Sequence, residues 1–263
     1  MKATGDIMKL LCFSDFNAAL HLGNQFSQTI QQEDPDIIFY CGGTMRGIKR
    51  IAEFESAMRF QSKPSSDSLE IQEEIKKDLE FLKSFIQILV DTQKPVYLVP
   101  GRTDAPEAEY FKIIYQYHRI YPNLKSIHGE IAEDDLFILS GFGGDLGQSF
   151  DDRNFLLQYT RSWVEFTLRT LEFINRDKIL IFYSPPVCRL DLKENGEHCG
   201  VIVVNELIER FSPKILICGQ ATNHGVVRLG ETVVVNPGLF FMNGKYAVID
   251  FPSLDVQFKS MVN

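Results

Sequence analysis

The chain has 263 residues, 44% of them hydrophobic, and a formal net charge of −8. This length allows a sizeable core, and we predict a single domain over residues 1–263. The negative charge argues against a general affinity for nucleic acid, because phosphate backbones are held by an excess of Lys and Arg. No stretch approaches the roughly 20 apolar residues that cross a bilayer, so we expect a cytoplasmic protein that does not bind membranes.

Short apolar strands alternate with helical segments over the first two thirds of the chain. In the segment 69–90, apolar residues recur at spacings of three and four, which predicts an amphipathic helix. Further helices are predicted over 18–32 and 201–211, and a polar insertion loop over 61–68. Strands are predicted at 8–13, 36–41, 96–99, 136–139, 178–182 and 214–218.

The last third of the sequence changes to short strand-like runs, at 226–229, 232–235, 246–251 and 254–258. Asn243-Gly244 is a hairpin signal between two of these runs. The alternation of strands and helices, followed by a meander, predicts an α/β fold of mixed sheets with helices packed outside them.

The cysteines are odd in number, at positions 12, 41, 188, 199 and 218, and three of them lie in apolar strand-like runs. A thiol in such a run behaves as a small hydrophobic group. We therefore predict free thiols rather than disulfides, as is typical of a reducing compartment.

Polar and glycine residues follow most of the predicted strands. Ligands in open α/β sheets gather at the carboxyl ends of strands, where loops and helix N-termini converge. These ends define the predicted site: Asp15, Gly42-Gly43, 101–104, 183–186 and 219–222.

Taken in chain order, these strand ends resemble the motifs of the calcineurin-like phosphoesterase family, over residues 9 to about 258. The family pattern is Asp-x-His, Gly-Asp, Gly-Asn-His-Asp, a His before a Pro pair, Gly-His-x-His and Asn-Pro-Gly. The corresponding segments here are Ser14-Asp15-Phe16-Asn17, Cys41-Gly42-Gly43, Gly101-Arg102-Thr103-Asp104, Tyr183-Ser184-Pro185-Pro186, Gly219-Gln220-Ala221-Thr222 and Asn236-Pro237-Gly238. The chain is also similar to a branch of that family with Asp-Ala-Pro (104–106) and Gly-Phe-Gly-Gly (141–144).

The resemblance implies two mixed sheets packed as a sandwich flanked by helices, in four layers. It also implies a family reaction in which water between two metal ions hydrolyses a phosphate ester. Most ligand positions are changed in this chain. Asp15 matches the first aspartate, but Asn17 stands for a histidine and Gly43 for the bridging aspartate; Arg102 stands for an asparagine, and Thr103, Tyr183, Gln220 and Thr222 for histidines.

These substitutions predict that the usual two-metal site is not assembled, and that no cofactor is needed. Arg102 adds a permanent cation where metals would lie. We predict that it pairs with Asp15, with neutral side chains completing the pocket. A single divalent ion (Mn, Mg or Ca) held by Asp15, Asn17 and His224 is the alternative.

Other polar residues have ordinary structural explanations. Asp104 is expected to accept hydrogen bonds from loop amides, and His224 to lie in solvent. His198-Cys199-Gly200 precedes a helix, either as an anion or thiolate site or as a polar loop. Asp145, together with Asp151, Asp152 and Arg153, is interpreted as a solvated loop, with an isolated Ca²⁺ site as the alternative.

Three functions remain open on the sequence. The first is a pseudoenzyme that binds a small anionic ligand or a protein partner without metal-dependent turnover. The second is a divergent metal-dependent phosphodiesterase or phosphatase with a reduced metal site. The third is a structural subunit of a larger assembly; the oligomeric state is left open.

Overall fold

The computed structural model describes residues 7–261, except the side chain of Asn243. The helices are α1 (Gly23–Glu33), α2 (Ile48–Arg59), α3 (Leu69–Asp91), α4 (Glu107–Ile120), α5 (Arg161–Leu168), α6 (Ile202–Phe211) and α7 (Phe240–Asn243). Two 3-10 helices span Leu20–Leu22 and Arg169–Phe173. The strands of the first half are β1 (Met8–Phe13), β2 (Ile37–Tyr40), β3 (Val96–Leu98), β4 (Leu124–Ser126), β5 (Ile131–Glu133), β6 (Ile138–Phe142) and β7 (Asp145–Gln148). The strands of the second half are β8 (Gln158–Thr160), β9 (Lys178–Phe182), β10 (Ile215–Cys218), β11 (Gly225–Leu229), β12 (Thr232–Asn236), β13 (Lys245–Phe251) and β14 (Asp255–Ser260).

Two six-stranded mixed sheets carry the fold. The first has the order β14-β13-β1-β2-β3-β4, and the second β11-β12-β10-β9-β6-β5. In the first sheet β1 to β4 are parallel, and β13 and β14 are antiparallel partners at one edge. In the second sheet the four central strands are parallel, and β11 and β5 are antiparallel partners at the two edges. A separate parallel pair joins β7 and β8.

The alternation of side chains along β1 shows how the layers form. Leu10 and Cys12 point into the core between the two sheets, whereas Leu11 and Phe13 point into the core under helices α1, α3 and α4. Successive residues of a strand face opposite sides, so a strand covered on both faces is apolar throughout. Helices α5 and α6 cover the outer face of the second sheet in the same way. The predicted four-layer sandwich is confirmed.

The prediction for the C-terminal third needs correction. Asn243-Gly244 does not turn a hairpin: it ends helix α7, and Gly244 caps that helix with φ +58°. The predicted meander is two separate hairpins, because β11 and β12 pair in the second sheet while β13 and β14 pair in the first. Helices α2, α4, α5 and α7 were not predicted. Residues 61–68 form a loop between α2 and α3, as expected.

The register of the parallel strands brings the predicted loops to one edge. Phe13 aligns with Tyr40 and Tyr40 with Leu98 in the first sheet, and Phe182 aligns with Cys218 in the second. The residues that follow these positions therefore leave each sheet at the same level. No helix in the described part of the chain is long and apolar enough to span a membrane.

Candidate functional site

The loops after β1, β2 and β3 meet with unusually close backbone contacts. A Cβ atom on Gly43 would lie 2.4 Å from Oδ1 of Asp15, and one on Gly101 would lie 2.1 Å from the Gly43 nitrogen. Gly43 also has φ +82°, a conformation that side chains disfavour. The space that a side chain at position 43 would need is thus occupied by Asp15.

Asp15 lies at the centre of this junction, 7% exposed. Its Oδ1 accepts a hydrogen bond from the Tyr183 hydroxyl at 3.2 Å, and its Oδ2 accepts one from the Gln220 backbone N–H at 3.1 Å. Asp15 and Gln220 both adopt left-handed backbone conformations, with φ +55° and +66°. Such strain concentrates at functional sites and persists only where the surroundings hold it.

Burial raises the pKa of Asp15 to about 7, against the hydrogen bonds that it accepts, which lower it. Near neutral pH the carboxyl group is therefore divided between its neutral and charged forms. Burial also raises the pKa of the Tyr183 phenol well above its usual range, and the nearby Asp15 charge adds to this. Tyr183 thus remains a protonated hydrogen-bond donor.

Asp104 holds the backbone of the second and third motifs together. Its carboxylate is fully buried and accepts hydrogen bonds from the N–H groups of Gly43, Thr44, Met45 and Gly101, at 2.7 to 3.1 Å. Burial raises its pKa to about 6, although these bonds act in the opposite direction. The predicted role of Asp104 in binding loop amides agrees with this geometry.

Arg102 pairs with Asp145 and not with Asp15, so the predicted Arg102–Asp15 pair is wrong. Its Nε lies 3.0 Å from Oδ2 of Asp145, in an ion pair without the alignment of a hydrogen bond. The Gln220 side-chain amide donates to the other oxygen of Asp145 at 2.7 Å. Because Tyr183 and Gln220 already satisfy Asp15, the guanidinium is drawn to the second carboxylate.

Asp145 belongs to the site, although the sequence pattern predicted a solvated loop for it. It begins β7 and is 9% exposed. Burial raises its pKa, while Arg102 and Gln220 act to lower it. One sequence signal could have found it, because Asp145 directly follows the Gly-rich turn after β6. That strand pairs with β9, and Tyr183 directly follows β9. Asp151 and Asp152 accept hydrogen bonds from backbone N–H groups of their own loop region instead.

The remaining predicted residues lie around this centre without joining it. The Thr103 hydroxyl donates to the Met45 carbonyl at 2.6 Å, and the Asn17 backbone N–H donates to Gly43. The Thr222 N–H donates to the Leu192 carbonyl. His224 is exposed, and its Nδ1 lies 3.0 Å from Nζ of Lys245. Burial and the Lys245 charge lower the pKa of His224.

The loop before α6 does not favour a thiolate. Burial raises the pKa of the Cys199 thiol to about 11, and the thiol donates to the Asp191 carbonyl at 3.1 Å. His198 Nδ1 lies 2.6 Å from Oδ1 of the buried Asp191. The loop is therefore held by hydrogen bonds of its own. The described cysteines are free, as predicted.

The residues at the strand ends do not fit a pair of metal ions. Within residues 7–261, no group of three or more His, Cys, Asp or Glu side chains is placed to hold a metal ion. The bridging position is closed at Gly43, and Arg102 brings a cation that repels metals. Two-metal catalysis needs several anionic or imidazole ligands around each ion.

A comparison with protein families gives one match, "Metallophosphoesterase, calcineurin superfamily", over residues 4–261. A search of curated proteins gives no match.

Solved structures share the fold. One crystal structure, 27% identical in sequence, covers 98% of this chain and 100% of its own, with a TM-score of 0.89. The protein TT1561 of Thermus thermophilus is 20% identical, with a TM-score of 0.76 over 98% of this chain and 100% of its own. A dimetal phosphatase from Danio rerio is 9% identical, with a TM-score of 0.57 over 97% of this chain and 99% of its own.

Proposed function

The chain belongs to the metallophosphoesterases of the calcineurin superfamily, and from this we propose that it is a non-catalytic member, which binds a ligand or partner without two-metal hydrolysis. The observation that carries the proposal is the close approach of Gly43 to Asp15. A side chain at position 43 would collide with the Asp15 carboxylate, 2.4 Å from the ideal Cβ. The Asp15 carboxylate thus lies against the bridging position.

A hydrogen-bonded polar network takes the place of metal ligands in this proposal. It runs from Asp15 through Gln220 to Asp145, and from Asp145 to Arg102. Tyr183 completes it by donating to Asp15. Buried charges are stable only when they are paired or hydrogen-bonded. Here one backbone N–H and the neighbouring side chains supply the partners of Asp15 and Asp145.

The ligand that we expect at this site is a small anion. Arg102 carries a fixed positive charge, and its side chain is 29% exposed, so it reaches the surface of the site. Guanidinium groups bind carboxylates and phosphates through paired hydrogen bonds. Asp145 offsets part of that charge, which favours a weakly bound anion over a tightly held one.

The single-metal alternative has less support. It needs Asp15, Asn17 and His224 to act together. The imidazole Nδ1 of His224 instead lies beside the Lys245 ammonium, whose charge repels a metal ion. Cytoplasmic location remains an expectation from the sequence.

Metal content and hydrolysis measured on one sample test the proposal. The purified protein would be incubated with Mn²⁺, desalted, analysed by mass spectrometry for bound metal, and assayed with an aryl phosphodiester. We expect no stoichiometric metal and no turnover. Asp15→Ala is the diagnostic variant, and Asp255→Ala, at an exposed position of β14, is the matched control. Stoichiometric metal with turnover that Asp15→Ala abolishes and Asp255→Ala preserves would refute the proposal.

A further inference from the structure

Helix α5 and the 3-10 helix that continues it have apolar residues on two opposite faces. On the inner face, Val164, Leu168 and Leu171 are buried against the second sheet. A helix at the surface of a soluble protein is normally polar on its outer face. Here the outer face is aromatic as well, which is typical of a helix that is covered on both sides.

The outer face consists of Trp163, Phe166, Arg169, Glu172 and Phe173, here called the aromatic stripe. The three aromatic side chains are 41%, 57% and 82% exposed in chain order. The Arg169 guanidinium lies 4.5 Å from the centre of the Phe166 ring. Side chains three residues apart eclipse each other in a 3-10 helix, so Arg169 and Glu172 lie on one side of it.

The two charges of the stripe are unpaired in the part of the chain that the structure describes. Neither Arg169 nor Glu172 has an oppositely charged partner within 4.0 Å. By contrast, Arg161 at the start of the same helix contacts Glu165 and Glu206. The stripe therefore presents one cation, stacked on Phe166, and one anion, three residues apart and without ionic partners, among exposed aromatic rings.

We propose that the aromatic stripe is the contact surface between two copies of this chain. Two stripes packed antiparallel about a two-fold axis between positions 169 and 172 bring each Arg169 opposite Glu172 of the partner subunit. A two-fold interface uses the same patch on both copies, so the patch must be complementary to itself. An acidic protein or a nucleic acid would match Arg169 but would be repelled by Glu172.

The size of the stripe sets the strength of the association. Aromatic side chains bury about 150–250 Å² each when fully covered, so three partly exposed rings supply a few hundred Å² per copy. That is below the roughly 800 Å² per partner of a standard stable interface. The dimer is therefore in reversible equilibrium with the monomer and depends on protein concentration.

Sedimentation velocity on the full chain tests the proposal, up to about 0.1 mM protein, where a micromolar interface is occupied. Wild type should form a dimer. Arg169→Glu and Glu172→Arg should each weaken it about tenfold, because each substitution places like charges opposite one another twice per dimer. The double variant Arg169→Glu/Glu172→Arg should restore dimerisation, since it regenerates the opposite-charge pairs.

Phe173→Ser tests the apolar part of the stripe. Its matched control is Phe60→Ser, because Phe60 is an aromatic residue just after helix α2 that is 74% exposed. We expect Phe173→Ser to dissociate the dimer and Phe60→Ser to leave it unchanged. Circular dichroism verifies that each variant is folded. A monomeric wild type at the highest concentration would overturn the proposal. So would a dimer insensitive to Phe173→Ser, or single charge reversals that the double variant does not rescue.

Discussion

We expect Asp15→Asn to change how the stability of the protein depends on pH. Burial raises the pKa of Asp15 from 3.8 to about 7, so the folded protein binds this proton more tightly than the unfolded chain does. The resulting stabilisation is fully present below about pH 4 and is lost as the pH rises through about 7. Asparagine has no proton to lose, so the variant lacks this contribution to the pH dependence.

The magnitude follows from the shift. One pKa unit corresponds to about 1.4 kcal/mol, so a shift of about three units gives at most roughly 4 kcal/mol. The Tyr183 and Gln220 donors favour the charged form and are already included in the shift. The stabilisation is lost over the range between the unfolded and the folded pKa of Asp15, and about two units of that range lie between about pH 5 and about pH 8. Over this interval the free energy of unfolding of wild type should therefore fall by about 2–3 kcal/mol more than that of the variant.

Urea denaturation at the two pH values measures the free energy of unfolding directly. Asp255→Asn serves as a control for the loss of a carboxylate at an exposed position. Burial also raises the pKa of Asp104 to about 6, and the Asp104 charge adds to the shift of Asp15, so the difference between wild type and Asp15→Asn includes the coupling of the two carboxylates. Equal losses in wild type and Asp15→Asn would show that Asp15 does not carry the shifted proton. Repeating the series with Mn²⁺ tests metal binding at Asp15, since a bound cation would lower its pKa.

Arg102→Ala should destabilise the fold by about 2 kcal/mol, which is less than the roughly 3–5 kcal/mol of a fully buried pair because Arg102 is partly exposed. The double variant Arg102→Ala/Asp145→Asn should recover most of this stability in thermal unfolding, because it leaves no unpaired charge at the site. No recovery would mean that the pair is not coupled. Gly43→Ala should cost roughly 2–3 kcal/mol, because its Cβ meets the Asp15 carboxylate and φ is +82°; a variant as stable as wild type would contradict the close approach. Alkylation of Cys199 by iodoacetamide at about pH 8 should be at least tenfold slower than that of an unperturbed thiol, as its pKa is about 11; rapid labelling would show that the thiol is not shielded.

The sequence predicted the long buried strands because they are continuous apolar runs, but it missed the short strands β4, β5, β7 and β8. The 178–182 prediction coincides with β9, and the 69–90 helix with α3 to within one residue. Helix α2 escaped detection because Arg50, a charged residue, supplies part of its buried face and pairs with Asp78 of α3 at 2.7 Å. Periodicity of apolar residues does not detect a face built on a buried ion pair.

The identity of the partner of Arg102 could not be deduced from the sequence. Motif order placed Arg102 and Asp15 at neighbouring strand ends, but β2 lies between β1 and β3 in the first sheet. Asp145 begins β7, outside both six-stranded sheets, and the turn after β6 carries it to the site. The pairing of β6 with β9 that positions this turn is a long-range contact that local patterns do not reveal. The choice of partner also depends on which carboxylates already accept hydrogen bonds. Asp15 accepts them from the Tyr183 hydroxyl and the Gln220 backbone N–H.

Gly43 stands where the family pattern has the bridging aspartate, and it lies where the loops after β2 and β3 meet. A Cβ on Gly42 would lie 2.4 Å from the Gly101 nitrogen, so the loops after β2 and β3 pack backbone against backbone. Asp104 fixes that arrangement by accepting hydrogen bonds from Gly43 and Gly101. An aspartate introduced at position 43 would meet the Asp15 carboxylate, because its Cβ would lie 2.4 Å from Oδ1 of Asp15. A metal ligand at position 43 therefore requires Asp15 to shift first, whereas the partly exposed Arg102 side chain offers an anion a contact that needs no such shift.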